Sequence, residues 1–112
     1  MVDNSAPDPD GRGTDPSEVR MRLESLRKRI LEVDEALVGL VGERRALVLE
    51  IGRLKAGLGL PVLDPSREAS VVRRAVEMAR EQGVDEELTR DVIWRIIASA
   101  REEQEGTGRG ES

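Results

Sequence analysis

The sequence has no cysteine, no histidine and a single aromatic residue, Trp94, and no apolar run approaches the ~18 residues that signal a membrane span. Each absence removes a class of function. Without cysteine there is no disulfide, no thiolate nucleophile and no thiolate metal site. Without histidine the commonest metal ligand and the commonest general base at neutral pH are missing. One tryptophan supplies neither a base-stacking platform nor an aromatic cage. An excess of positive charge is lacking too. Against 23 Asp and Glu stand 18 Lys and Arg, a net charge of -5. No electrostatic footprint for nucleic acid or an anionic membrane follows, and any anion site has to be local. The N-terminus is acidic and polar rather than basic and then hydrophobic, so the expected location is cytoplasmic.

What the chain does have is helical periodicity. A length of 112 residues predicts one domain with a small core, of a size that often gains stability by association. Residues 1–16, MVDNSAPDPDGRGTDP, are rich in Pro, Gly, Asp and Ser and predict a disordered leader. GTGRGES, residues 106–112, predicts a flexible tail, which leaves 17–105 as the helical domain. From about Ser17 to Gly57, Leu23, Leu26, Ile30, Val33, Leu37, Leu40, Leu47, Ile51 and Leu54 recur at spacings of three and four, a helical seam with a heptad rhythm. The one gap in that series is filled by Arg44. Gly57, Gly59 and Pro61 end this helix, and Asp64-Pro65 opens a second, Asp as N-cap and Pro at the first helical position. The second helix is expected to run to Gln82 with Val71, Val72, Ala75, Val76 and Ala79 inward and Gly83 as C-cap. A third begins near Asp85, with Leu88, Val92, Ile93, Ile96, Ile97 and Ala100 inward and Gln104 at nearly the same azimuth. No strand pattern appears, so the fold class is all-α: three helices, the first much the longest.

Length adds a consequence. About 40 residues of helix span ~60 Å, whereas a compact 100-residue domain has a radius of gyration near ~13 Å. The other two helices are half as long and cannot cover the first stripe. A second copy can, so the chain is expected to form an antiparallel homodimer with its long helices paired.

The polar residues on the stripe are the candidates for chemistry. Lys55 lies eleven positions after Arg44, about 20° away in azimuth and ~16 Å along the axis, so two cations look into one groove. A small anion between them could touch both, and arginine grips a carboxylate through two parallel hydrogen bonds. Blander readings exist: Arg44 snorkels to water or pairs with a glutamate, and Lys55 complements the helix dipole. Arg27 is ~25 Å from Arg44 along the helix, too far to share a small ligand within one chain. In an antiparallel dimer crossing near Val38 to Gly42, it faces the partner's groove, with Gly39 and Gly42 allowing close approach; otherwise it is a solvated charge. Arg67 and Glu68 occupy the first turn of the second helix, where Glu68 is favourable on dipole grounds alone. Gln104 is either a polar end to an apolar stripe or a group aimed inward. Polar groups from three helices converging on one interior pocket are costly unless a ligand satisfies them.

Taken in order, LRKRILEVDEALVGLVGERRALVLEIGRLK, GLPVLDPSRE and WRIIASAREEQ resemble the all-helical class of chorismate mutase over about Leu23 to Gln104. The resemblance implies an intertwined homodimer of three-helix chains with two active sites, each holding residues of both subunits. It implies roles by position. Arg27 is similar to the arginine given across the dimer to one substrate carboxylate, and Arg44 to the same-chain arginine that binds the other. Lys55 and Gln104 are similar to the pair that hydrogen-bonds the ether oxygen of the breaking bond. Glu68 and Asp64 match the groups around the ring hydroxyl, and Arg67 one that shapes the charged pocket. Ala100 departs from the class, which commonly has a serine there. Ser99 is about 100° away in azimuth and is no obvious substitute, which puts affinity or exact substrate in question rather than reaction type.

The reaction of the class is the unimolecular Claisen rearrangement of chorismate to prephenate, on the way to phenylalanine and tyrosine. It needs no nucleophile, metal or cofactor, which suits a chain without Cys or His. Two enzymatic alternatives share the fold, a mutase of 4-amino-4-deoxychorismate and an isochorismate pyruvate lyase, the latter disfavoured by the full-length loop and standard polar set. From another class, the chain could be a non-catalytic helical dimerisation module with Arg44 as a buried specificity device. Some small members of the class are activated by a partner enzyme, and no residue pattern here marks such a contact.

Overall fold

A computed structural model describes residues 15–110 as three helices: α1 Pro16–Gly57, α2 Pro65–Gln82 and α3 Glu86–Gly110. No strand occurs among the described residues, as the all-α reading expects, and no helix is long and apolar enough to cross a membrane. The expected leader lies outside the described residues except for Asp15 and Pro16. Asp15 caps α1, its carboxylate accepting from the Ser17 backbone N–H at 3.0 Å and from the Ser17 hydroxyl at 2.9 Å. At the other end the α3 backbone stays helical to Gly110, past Gly106 where the sequence predicts a tail. Glycine disfavours a helix by only about 1 kcal/mol per residue, and no proline is present to stop it.

The chain divides into two compact units, Met1–Leu40 and Val41–Ser112. In the first, the described residues are α1 alone up to Leu40. Its apolar stripe is bare: Leu23, Leu26, Ile30, Val33, Leu37 and Leu40 are all exposed, Val33 by 63%. Arg27 lies beside that stripe, and its one ion pair among the described residues is with Glu24, 3.6 Å away and one turn back, both side chains open to solvent.

In the second unit, α2 and α3 pack against each other through small apolar residues. Val72, Ala75, Val76 and Ala79 of α2 are buried, as are Ile97 and Ala100 of α3, and Gly52 is the buried residue of α1. Valines and alanines allow close approach but bury little area each, so this core is thin. Leu88 and Val92, expected inward, are instead 58% and 42% exposed; they belong to the first turns of α3, and the buried contacts of that helix begin beyond them. Both ends of α2 follow from its sequence. The Asp64 side chain accepts from the Arg67 N–H at 3.0 Å. Gly83 takes the left-handed conformation, φ +69, so that Val84 N–H reaches the Ala79 carbonyl at 2.8 Å, a Schellman termination. Asp85 then caps α3, accepting from the Leu88 N–H at 2.9 Å. Across this turn Arg80 donates to both oxygens of Glu86, at 3.2 and 3.0 Å. That hydrogen bonding holds the Glu86 carboxyl below its usual range. Its contribution is therefore present at neutral pH and is lost as pH falls through the lowered value.

Candidate active site

Within the second unit, residues of all three helices line a cavity of about 430 Å³, a volume suited to a small organic molecule. Each helix places its side chains there by a local device.

On α1 the device is the termination. Gly59 has φ +73, Leu60 N–H reaches the Lys55 carbonyl at 2.9 Å and Gly59 N–H the Ala56 carbonyl at 3.1 Å. This is again a Schellman motif. It fixes the last turn of α1 and leaves Lys55, half-buried, facing the cavity. Arg44 lines the same cavity three turns earlier. The two adjacent arginines divide their tasks, because neighbouring residues on a helix point about 100° apart. Arg45 turns the other way, paired with Glu103 and donating to the Ser99 hydroxyl at 2.9 Å. Arg44 faces the cavity and, like Lys55 and Arg67, makes no ion pair with any of the described residues.

On α2 the device is the N-cap. Asp64 spends one carboxylate oxygen on the Arg67 N–H and still lines the cavity, together with Arg67 and Glu68 of the first turn. Glu68 is the most enclosed of these, its side chain 17% exposed.

On α3 the device is a tether. The Gln104 side-chain amide donates to the Val48 carbonyl of α1 at 3.2 Å. It can do so because position 52 is glycine: a Cβ there would stand 2.7 Å from Gln104 Nε2. An amide held to backbone in this way is oriented before any ligand arrives.

The cavity thus brings together Arg44, Lys55, Asp64, Arg67, Glu68 and Gln104, six of the seven residues singled out from the sequence. Arg27 is not among its lining residues. Ala100 lines the wall, and Ser99 does not replace it, being engaged by Arg45 beside a different, smaller cavity. Two residues escaped the sequence reading. Gly52 carried a signal, a glycine inside a helix, one turn after Val48 and three residues before Lys55. Arg101 also lines the cavity, and its signal was its place on the stripe, four after Ile97 and three before Gln104.

A family model described as chorismate mutase type II matches residues 26–105. Among curated proteins, the chain is 34% identical to a chorismate mutase of Methanocaldococcus jannaschii over 76 residues, 68% of this chain and 77% of that protein. It is 40% identical over 75 residues to a T-protein of Enterobacter agglomerans, covering 67% of this chain but spanning only 20% of that longer protein. A 4-amino-4-deoxychorismate mutase of Streptomyces pristinaespiralis is 32% identical over 84 residues, 75% of this chain and 65% of that protein. The match spans the cavity-lining residues of all three helices; residues 26–105 are a chorismate mutase type II domain, and the chain belongs to that family.

Proposed function

We propose that the chain rearranges chorismate to prephenate in this cavity, as an isomerase of aromatic amino acid biosynthesis acting in the cytoplasm. The observation that carries the reading is the convergence of Arg44, Lys55, Glu68 and Gln104 from three helices on one cavity. Chorismate carries two carboxylates, and the arginines clamp it in the compact shape that brings the bond-forming carbons together, an orientation effect. As the C–O bond breaks ahead of C–C bond formation, negative charge grows on the ether oxygen. Lys55 and the tethered Gln104 amide are donors placed to stabilise that charge more than the ground state. Glu68, with the free oxygen of Asp64, receives the ring hydroxyl, and Arg67 adds positive charge at the rim.

The second carboxylate calls for one more cation, and Arg27 of a partner copy is the proposed source. Support comes from α1. Its stripe is exposed from Leu23 to Leu40, most of a helix's stability in proteins comes from packing its apolar face, and a Cβ on Gly39 or Gly42 would meet nothing within 4 Å. A second copy laid antiparallel along α1 covers the stripe and closes the site. Incubating the purified chain with chorismate tests the function: prephenate formation is expected. Neither turnover nor thermal stabilisation by chorismate would mark a non-catalytic dimerisation module instead. The Streptomyces relative makes 4-amino-4-deoxychorismate the second substrate to assay.

Gly52 yields a prediction of its own. In Gly52→Ala the new methyl displaces the Gln104 amide, the far end of a flexible side chain, so the clash is relieved cheaply. Alanine also gains about 1 kcal/mol of helix propensity over glycine. The melting temperature is expected to stay within a few degrees, about what 1 kcal/mol shifts in a chain this size. Turnover is expected to fall by about tenfold to a hundredfold, because a misplaced donor loses most of its transition-state effect. Parental turnover in a folded Gly52→Ala protein would remove Gln104 from the mechanism.

A further inference from the structure

Arg101 lines the cavity and has no task in the mechanism above. Its Nε is buried and has no hydrogen-bond partner among the described residues. The facing carboxylate oxygen, Glu68 Oε2, is 3.7 Å away, an ion-pair distance but too long for a hydrogen bond. Because Glu68 is largely shielded from water, its charge is felt inside the cavity with little screening.

We propose that Arg101 is a specificity-determining residue, which makes the cavity select a guest with a neutral ring hydroxyl over one with a ring ammonium. The inference rests on the proposed mutase reading and deepens it. Glu68 and Asp64 alone would receive either group, since a carboxylate accepts a hydrogen bond from a hydroxyl and attracts an ammonium. Arg101 breaks that tie. An ammonium placed on Glu68 lies close to a guanidinium and is repelled, while the carboxylate that should attract it is already offset. Asp64 cannot restore the balance, because one of its oxygens is held by the Arg67 N–H and the residue is exposed, so water screens it. A hydroxyl suffers no such repulsion. It donates to Glu68, and a shift of under about 1 Å brings Arg101 Nε into hydrogen-bond range of the same carboxylate. The charge count agrees. Arg44, Lys55, Arg67 and Arg101 against Asp64 and Glu68 leave two positive charges from one chain in the cavity, and the proposed Arg27 of a partner copy adds a third, an excess that favours a dianion over a monoanion. A ring ammonium reduces the guest to a single net negative charge.

The test measures kcat/KM for chorismate and for 4-amino-4-deoxychorismate with the full chain and its Arg101→Leu variant. The ratio of the two is expected to shift at least about tenfold toward the amine in Arg101→Leu, the scale set by one unit charge several ångströms away at an intermediate dielectric. Arg101→Lys keeps the charge and should hold the parental ratio within about threefold on the same scale. A packing defect would lower both substrates together and leave the ratio alone. If Arg101→Leu melts below the assay temperature, Arg101→Gln carries the same expectation. An unchanged ratio in a folded, active variant overturns the inference and leaves the mutase reading standing. A parental chain that turns over neither substrate overturns both.

Discussion

Lys55→Ala should lose turnover by about a hundredfold to a thousandfold, the usual effect of deleting one preorganised donor to a developing oxyanion, while its melting temperature barely changes. The two expectations have separate causes. Lys55 makes no ion pair with any described residue, and the α1 terminus is closed by backbone bonds to its carbonyl, which alanine keeps. What is lost is an ammonium on the cavity wall. Among the described residues it has no ion-pair partner, and in the proposed mechanism it acquires one where the ether oxygen gains charge. Steady-state kinetics with thermal melting as the control would decide the matter. A Lys55→Ala protein with near-parental kcat would show that Lys55 only complements the helix dipole.

Arg27→Ala is expected to have the second large effect, with a different logic. In one chain Arg27 is an exposed residue with one weak partner among the described residues, and removing such a pair changes stability by about 0.3–0.5 kcal/mol. A site made by one chain predicts no change in activity at all. If instead Arg27 reaches a substrate carboxylate in a partner copy, its removal forfeits a charge-assisted bond. Then kcat/KM should fall by about tenfold to a hundredfold or more, on the scale of 1.5–3 kcal/mol for a hydrogen bond to a charged group.

Much of this was legible in the sequence wherever one residue had one physical role. Asp64-Pro65 and Gly83 bound α2 because an N-cap, a proline at N1 and a left-handed glycine leave few alternatives. Arg44 and Lys55 could be placed on one face of α1, and Gln104 on the apolar face of α3, because helical azimuth is simple arithmetic. The family that the sequence resembles is the one whose model matches residues 26–105. Elsewhere the pattern under-determined the answer. Arg101 sits on the same stripe as Ile97 and Gln104, yet in a run of charged residues it reads as solvated surface until burial of its Nε is seen. Gly52 reads as a helix weakness until the Gln104 amide is found above it. Leu88 and Val92 follow the apolar rhythm of α3 but lie before its buried stretch, since periodicity marks a face and not where along the helix that face is covered.

The most direct test of the central claim, that cations from two copies of α1 converge on one dianionic guest, mixes two impaired proteins. Arg27→Ala and Lys55→Ala chains are unfolded together, refolded at equal concentration and assayed with chorismate. In a heterodimer with shared sites, one site regains both residues and the other loses both. Random pairing should therefore restore about a quarter of parental activity per chain. Activity no higher than the average of the two variants alone would contradict the shared site and with it the account of how the substrate is held.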